Sequence, residues 1–258
     1  MQGRYHFYRL LPFTLAELAP PSRSTLMDLF TYGGFPEPFL SASEKESTRW
    51  SGEYRTRVVR EDLRDLERVD DINLIDRLSL RLPELVGSPL SLNALRKELE
   101  VSHKAAARWV SILENLYTIF RLYPFGSPKI RAVKKEAKHY HFDWTLVKNT
   151  GARFENLAAC HLLKWCWFLQ DSEGRDIELR YFRDIDKREF DFVVVENAKP
   201  VHFIECKQTD ADPGLSLRYL KQKFPAAATQ VVLEASRDIM TKDDIRICPA
   251  HVFLGELI

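Results

Sequence analysis

Apolar residues recur at helical spacing through the first half of the chain and alternate at a spacing of two through much of the second. Residues 1–13 alternate like a strand, and PFTLAEL opens a short helix. Pro20, Pro21, Gly33, Gly34, Pro36 and Pro38 break residues 20–40 into helix pieces and loops. Residues 43–68 then set Trp50, Tyr54, Val58 and Leu63 as one stripe in a densely charged segment, whose charge reads as a solvated helix face.

Residues 72–125 carry the clearest local plan. INLIDRLSLRLPELVG predicts a helix stopped near Gly87, and SLNALRKELE a second, short one. VSH is a tight turn with Ser102 as N-cap. KAAARWVSILENL predicts a third helix with Ala106, Val110, Leu113 and Leu116 inward, and YTIFRLYPF a strand. Helix, turn, helix, strand is the layout of a winged helix-turn-helix. His103, Lys104 and Arg108 fall on the exposed side of the recognition-type helix and are the candidate DNA contacts. Glu98 and Glu100 dilute that basic field and favour a packing module between neighbours as the competing role.

Residues 126–258 read as α/β. KHYHFDW, IELRYFRD, REFDFVVVE, PVHFIECKQ, AAATQVVLEAS and ICPAHVFL are strand candidates; ARFENLAACHLLKWCWFL and GLSLRYLKQKF are helices. The expected fold class is mixed α/β (α+β), in three parts: a helical linker over 1–71, the winged helix over 72–125, and a mixed β-sheet domain flanked by helices over 126–258.

Composition narrows the functions. Of 258 residues, 45% are hydrophobic and 29% charged, enough for a real core. The formal net charge is +1, so nucleic-acid binding must come from local patches. Cys160, Cys166, Cys206 and Cys248 form no CxxC pair and read as reduced thiols of a cytoplasmic protein. No GxxxxGK[ST] is present, so no ATPase activity is expected of this chain. His139, His141 and Asp143 alternate as zinc ligands could, without a fourth ligand at suitable spacing, and read as an ordinary strand end.

The chemistry concentrates in EFDFVVVENAKPVHFIECKQ, residues 189–208. Alternation puts Glu189, Asp191, Val193 and Val195 on one face of the first strand, and Val201, Phe203, Glu205 and Lys207 on one face of the second. A turn centred on residues 197–199 sets Asp191 opposite Glu205, with Cβ atoms about 4.5–5.5 Å apart. Carboxylates that close repel, and a hard divalent cation relieves the repulsion. Lys207 adds a positive group for the attacking water and the developing phosphorane charge.

An aspartate followed by ExK on the neighbouring strand resembles the PD-(D/E)XK nuclease superfamily. Phe190 stands where the eponymous proline would be. The resemblance implies a restriction-endonuclease-like sheet. It implies Mg²⁺ or Mn²⁺ on Asp191, Glu205 and the Cys206 carbonyl, with Glu155 of GARFENLAACHLL binding a second ion or its water. It also implies Lys207 acting on the nucleophile. More of the chain is similar to the C-terminal portion of a prokaryotic AAA+ ATPase family. GRYHFYRLLPFTLAEL, YGGFPEPFL, EYRTRVVREDL, the winged-helix segment, HYHFDWTL, GARFENLAACHLL, REFDFVVVE and FIECKQ carry that likeness. Such proteins hold a P-loop module ahead of this region, so the chain reads as a truncated product, a split subunit or an excised fragment. The expected function is metal-dependent DNA hydrolysis, with a separate ATPase module or subunit as partner. The alternative is a catalytically inactive DNA- or protein-binding module that partners an ATPase.

Overall fold

The computed structural model describes residues 6–58, 69–126, 137–183 and 189–257. Leu63 of the expected apolar stripe lies outside the described residues. The chain divides into two compact units, one of residues 1–27, 124–127 and 157–258, the other of residues 28–123 and 128–156. No described helix is long and apolar enough to cross a membrane.

The unit of residues 28–123 and 128–156 is mainly helical. It takes in half of α1 (Arg23–Tyr32), then α2 (Pro36–Ser41), α3 (Glu44–Arg57), α4 (Val69–Arg81), α5 (Leu92–Glu98) and α6 (His103–Asn115). Strands β1 (Ile119–Leu122) and β2 (Lys138–His141) pair antiparallel. Trp50 and Tyr54 stack at 4.9 Å with Phe35 against them, which uses the apolar stripe of α3. Pro83 lacks an N–H and turns the end of the α4 segment into a short 3₁₀ stretch, Leu82–Leu85, before Gly87 at φ 87°. Ser91 and Ser102 cap α5 and α6 by accepting from the Ala94 and Ala105 N–H groups. Ile75, Leu78, Leu82, Leu95, Trp109, Val110 and Leu113 bury together as the core of these helices.

The other unit is built on a six-stranded sheet of order β3-β4-β5-β6-β8-β7. Its strands are β3 (Ile177–Arg183), β4 (Glu189–Glu196), β5 (Lys199–Lys207), β6 (Ala227–Val232), β7 (Ile239–Met240) and β8 (Arg246–Pro249). β3, β4 and β5 run antiparallel in turn, β5, β6 and β8 run parallel, and β7 closes the edge antiparallel. Its helices are α7 (Thr150–Glu173, from residue 157 on), α8 (Leu215–Lys223) and α9 (Ala250–Gly255). Leu217 and Leu220 of α8 pack with Val193, Val195 and Phe203.

The mixed α+β class agrees with the sequence pattern; two segments differ from it. Residues 6–13 form no strand: Leu10 is 98% exposed, and the segment is held by Arg9, which pairs with Asp171 and stands over Trp167. Alternation there has no partner strand to pair with. ICPAHVFL is half strand and half helix, because Pro249 ends the ladder and begins α9. No disulfide joins the four cysteines; Cys160, Cys166 and Cys248 are buried thiols.

Candidate functional site

Asn197 and Ala198 join β4 to β5, both in the left-handed region at φ 49° and 62°. Two such residues make the tight turn whose twist suits a hairpin, and asparagine tolerates that region better than most. The turn pairs Glu196 with Lys199 and Val195 with Pro200. Val194 then pairs with His202, so Val201 is an extra residue on β5, a β-bulge. Pro200 beside it has no N–H to give the ladder, and a bulge is where a non-edge strand accommodates proline.

The bulge decides the chemistry of the hairpin. Beyond it Val193 pairs with Phe203 and Phe192 with Ile204, where the ladder ends, and Asp191 then reaches the Cys206 N–H with its side chain. Without Val201 the turn would set Asp191 against Ile204, on the opposite face from Glu205. Glu205 follows Phe203 by two residues and so takes the face that Phe203 and α8 define, while the pairing of β4 with β3 shifts register at Asp191 and Phe192.

Asp191 Oδ2 accepts a hydrogen bond from the Cys206 N–H at 2.8 Å, tying the acid to the neighbouring strand. Glu205 Oε1 pairs with Lys207 Nζ at 2.8 Å. The Glu205 side chain is 12% exposed and that of Lys207 40%, so the lysine reaches solvent from a mostly covered carboxylate. Burial works against the charge of Lys207, but the hydrogen bond and charge of Glu205, and the Asp191 charge, raise its pKa above the ordinary lysine value. Lys207 is therefore a fixed cation at neutral pH. A Cβ on Gly214, the residue that begins α8, would stand 3.5 Å from both Glu205 carboxylate oxygens. The acid thus lies beside the start of the helix, within ordinary contact of that position.

Glu205 Oε2 is buried with no hydrogen-bond partner, and so is Gln230 Oε1 on β6. Gln230 pairs with Glu205 in the parallel register, so their side chains leave the sheet on one face. An unsatisfied buried acceptor costs about 1–3 kcal/mol. Gln230 is a site residue that the sequence reading passed over. The available signal was a long amide inside AAATQVV, an otherwise small and apolar parallel strand.

Among the described residues, no three His, Cys, Asp or Glu side chains gather as a metal centre. The hairpin instead offers two neighbouring carboxylates, one with a buried oxygen lacking a donor. That set suits Mg²⁺ or Mn²⁺, which takes one or two carboxylates and completes its shell with water and substrate phosphate. It does not suit Zn²⁺, which prefers four nitrogen or sulfur ligands.

The remaining candidates belong to the helical unit. Glu155 Oε1 accepts from the Tyr140 hydroxyl at 2.7 Å and from Lys138 Nζ at 3.3 Å, the lysine side chain being 1% exposed. Glu155 thus serves as counter-charge to a buried lysine. His103, Lys104 and Arg108 are exposed on α6. His139 Nε2 contacts the Leu82 carbonyl oxygen at 2.9 Å. Burial lowers His139 to about 4, and burial with the neighbouring His139 lowers His141 to about 3, so both rings are neutral. Asp143 Oδ1 accepts from the Thr145 N–H and hydroxyl.

Residues 23–154, just over half of the chain, match the family model described as domain of unknown function DUF8612. Residues 150–253, which hold the hairpin, match the model described as domain of unknown function DUF4143. No curated protein and no solved structure matches the chain.

Proposed function

From the premise that the chain belongs to the DUF8612 family and carries a DUF4143 region, we propose that it is a metal-dependent deoxyribonuclease of the PD-(D/E)XK kind. The observation that carries the reading is the closeness of Asp191 on β4 to the Glu205–Lys207 stretch of β5: Asp191 Oδ2 accepts from the Cys206 N–H, and Lys207 pairs with Glu205. Asp191 and Glu205 would hold Mg²⁺ or Mn²⁺, with the Cys206 carbonyl as a further oxygen. When bound, the ion supplies charge to the phosphate and a more acidic water. Lys207 would position or activate the nucleophile. It stands as a fixed positive charge for the phosphate oxygens and the nucleophile while water attacks phosphorus and the P–O ester bond breaks. Glu155, whose Oε1 also accepts from Lys138 and Tyr140, would bind a second ion or orient its water, as the resemblance implies.

DNA is the substrate that the resemblance implies. The α5–α6–β1 segment would serve as a winged helix, presenting His103, Lys104 and Arg108 to phosphates. The partner we propose is an ATPase module or subunit of AAA+ type, and the compartment the cytoplasm.

A second reading, a catalytically inactive DNA- or protein-binding module, draws support from the Lys207–Glu205 pair, which satisfies the lysine internally. One experiment separates the two. The chain is incubated with Mg²⁺ or Mn²⁺ and duplex, single-stranded or branched DNA. Cleavage of one of these is expected, with none by Asp191→Ala. Lys207→Ala should still take up Mn²⁺ in calorimetry and cleave about a hundredfold more slowly. No Mn²⁺ uptake and no cleavage of any of the three DNAs would leave the binding module as the function.

A further inference from the structure

We propose that Gln230 is an oxygen ligand of the divalent cation held by Asp191 and Glu205, an inference that rests on the ion-dependent reading above. Gln230 is fully buried on β6, paired with Glu205 on β5. Its Nε2 donates to the Ala211 carbonyl at 2.5 Å. A carbonyl only accepts, so this bond fixes which end of the amide is nitrogen. Oε1 therefore turns away from the Ala211 contact, buried and without a donor, as Glu205 Oε2 also is.

Two acceptors cannot satisfy each other; a cation satisfies both at once. Glutamate and glutamine have the same length, and in-register strands lie about 4.8 Å apart. An octahedral Mg²⁺ with oxygens at 2.0–2.1 Å spans about 4 Å between opposite ligands. The separation of the two backbones thus suits an ion between the side-chain tips. Lys207 occupies the other Glu205 oxygen, which leaves Oε2 for the ion. The amide contributes an oxygen without a third negative charge beside two carboxylates. The donor set is then three side chains on three adjacent strands, β4, β5 and β6.

The test is Mn²⁺ titration of the full chain by calorimetry, with water-proton relaxation as a second measure of uptake. Gln230→Leu removes the oxygen at similar volume and should weaken Mn²⁺ binding about tenfold, the usual order for a residue that supports a metal. Gln230→Glu sets a carboxylate against the Ala211 carbonyl. It should melt earlier than the parent without metal and show a larger Mn²⁺-dependent rise in Tm. If Gln230→Leu does not fold, as judged by circular dichroism, the Gln230→Glu shift decides. Parent-like affinity in Gln230→Leu, with uptake lost in Asp191→Ala, would overturn the role of Gln230 and leave the nuclease reading standing. A water joining the two oxygens would give that result. An absence of uptake by the parent would overturn both.

Discussion

His161 shows how one buried side chain ties stability to pH. Its Nε2 accepts from the Leu15 N–H at 3.0 Å, and Nδ1 lies 2.8 Å from the Leu157 carbonyl oxygen, so the ring is neutral with its proton on Nδ1. Burial lowers its pKa to about 4 from 6.5. The unfolded chain binds that proton near pH 6.5 and the folded chain only near 4. The stabilisation is therefore complete above pH 6.5 and drains away as pH falls toward 4. Between pH 7 and pH 5 the loss from this group is about 2 kcal/mol. Urea unfolding at the two pH values should show a correspondingly smaller difference in His161→Gln than in the parent. An unchanged difference would place the acid sensitivity in His139, His141 and His202, whose pKa values burial also lowers.

Gly87 and Gly126 separate backbone strain from side-chain crowding within the loops that join elements. Both have positive φ, 87° and 81°. A Cβ on Gly87 would come 3.3 Å from Glu155 Oε2, whereas one on Gly126 would meet nothing within 4 Å. Gly126→Ala should cost about 1 kcal/mol for the left-handed backbone alone. Gly87→Ala should cost more, since the methyl also presses on the acid that pairs with Lys138. Denaturant unfolding of both variants checks the order. The helices α4 to α6 and strands β3 to β6 were legible because burial imposes its period on the sequence. The bulge was not: a three-residue turn and a two-residue turn plus one extra strand residue give the same pairing for Phe192 and Ile204. Gln230 escaped notice because its unsatisfied oxygen depends on the Ala211 contact, and no local pattern encodes that contact. Residues 6–13 misled because alternation records a rhythm, not the presence of a neighbouring strand.

For the whole molecule, a net charge of +1 means that affinity for DNA has to come from a few placed cations. If α6 docks on the backbone, replacing Lys104 and Arg108 with alanine removes up to two phosphate contacts. The slope of log affinity against log salt should then shrink by about 1.8 for duplex DNA, with weaker binding at every salt concentration. Fluorescence anisotropy across a salt series reads both. An unchanged slope would assign the α5–α6 segment to packing or to a protein partner and leave the hairpin chemistry to be judged separately.

Val201 gives the β4–β5 hairpin a parity. Which face each later residue of β5 takes depends on whether the number of residues between it and the turn is odd or even. Removing or adding one residue there turns one carboxylate toward Phe192, Val194 and Ile204, which are fully buried, at a cost of several kcal/mol for a charge without a partner. Removing or adding two restores the face but leaves the partner residues about 7 Å out of register along the strand. A single-residue slip on β5 would therefore silence the site and unsettle the sheet in the same event.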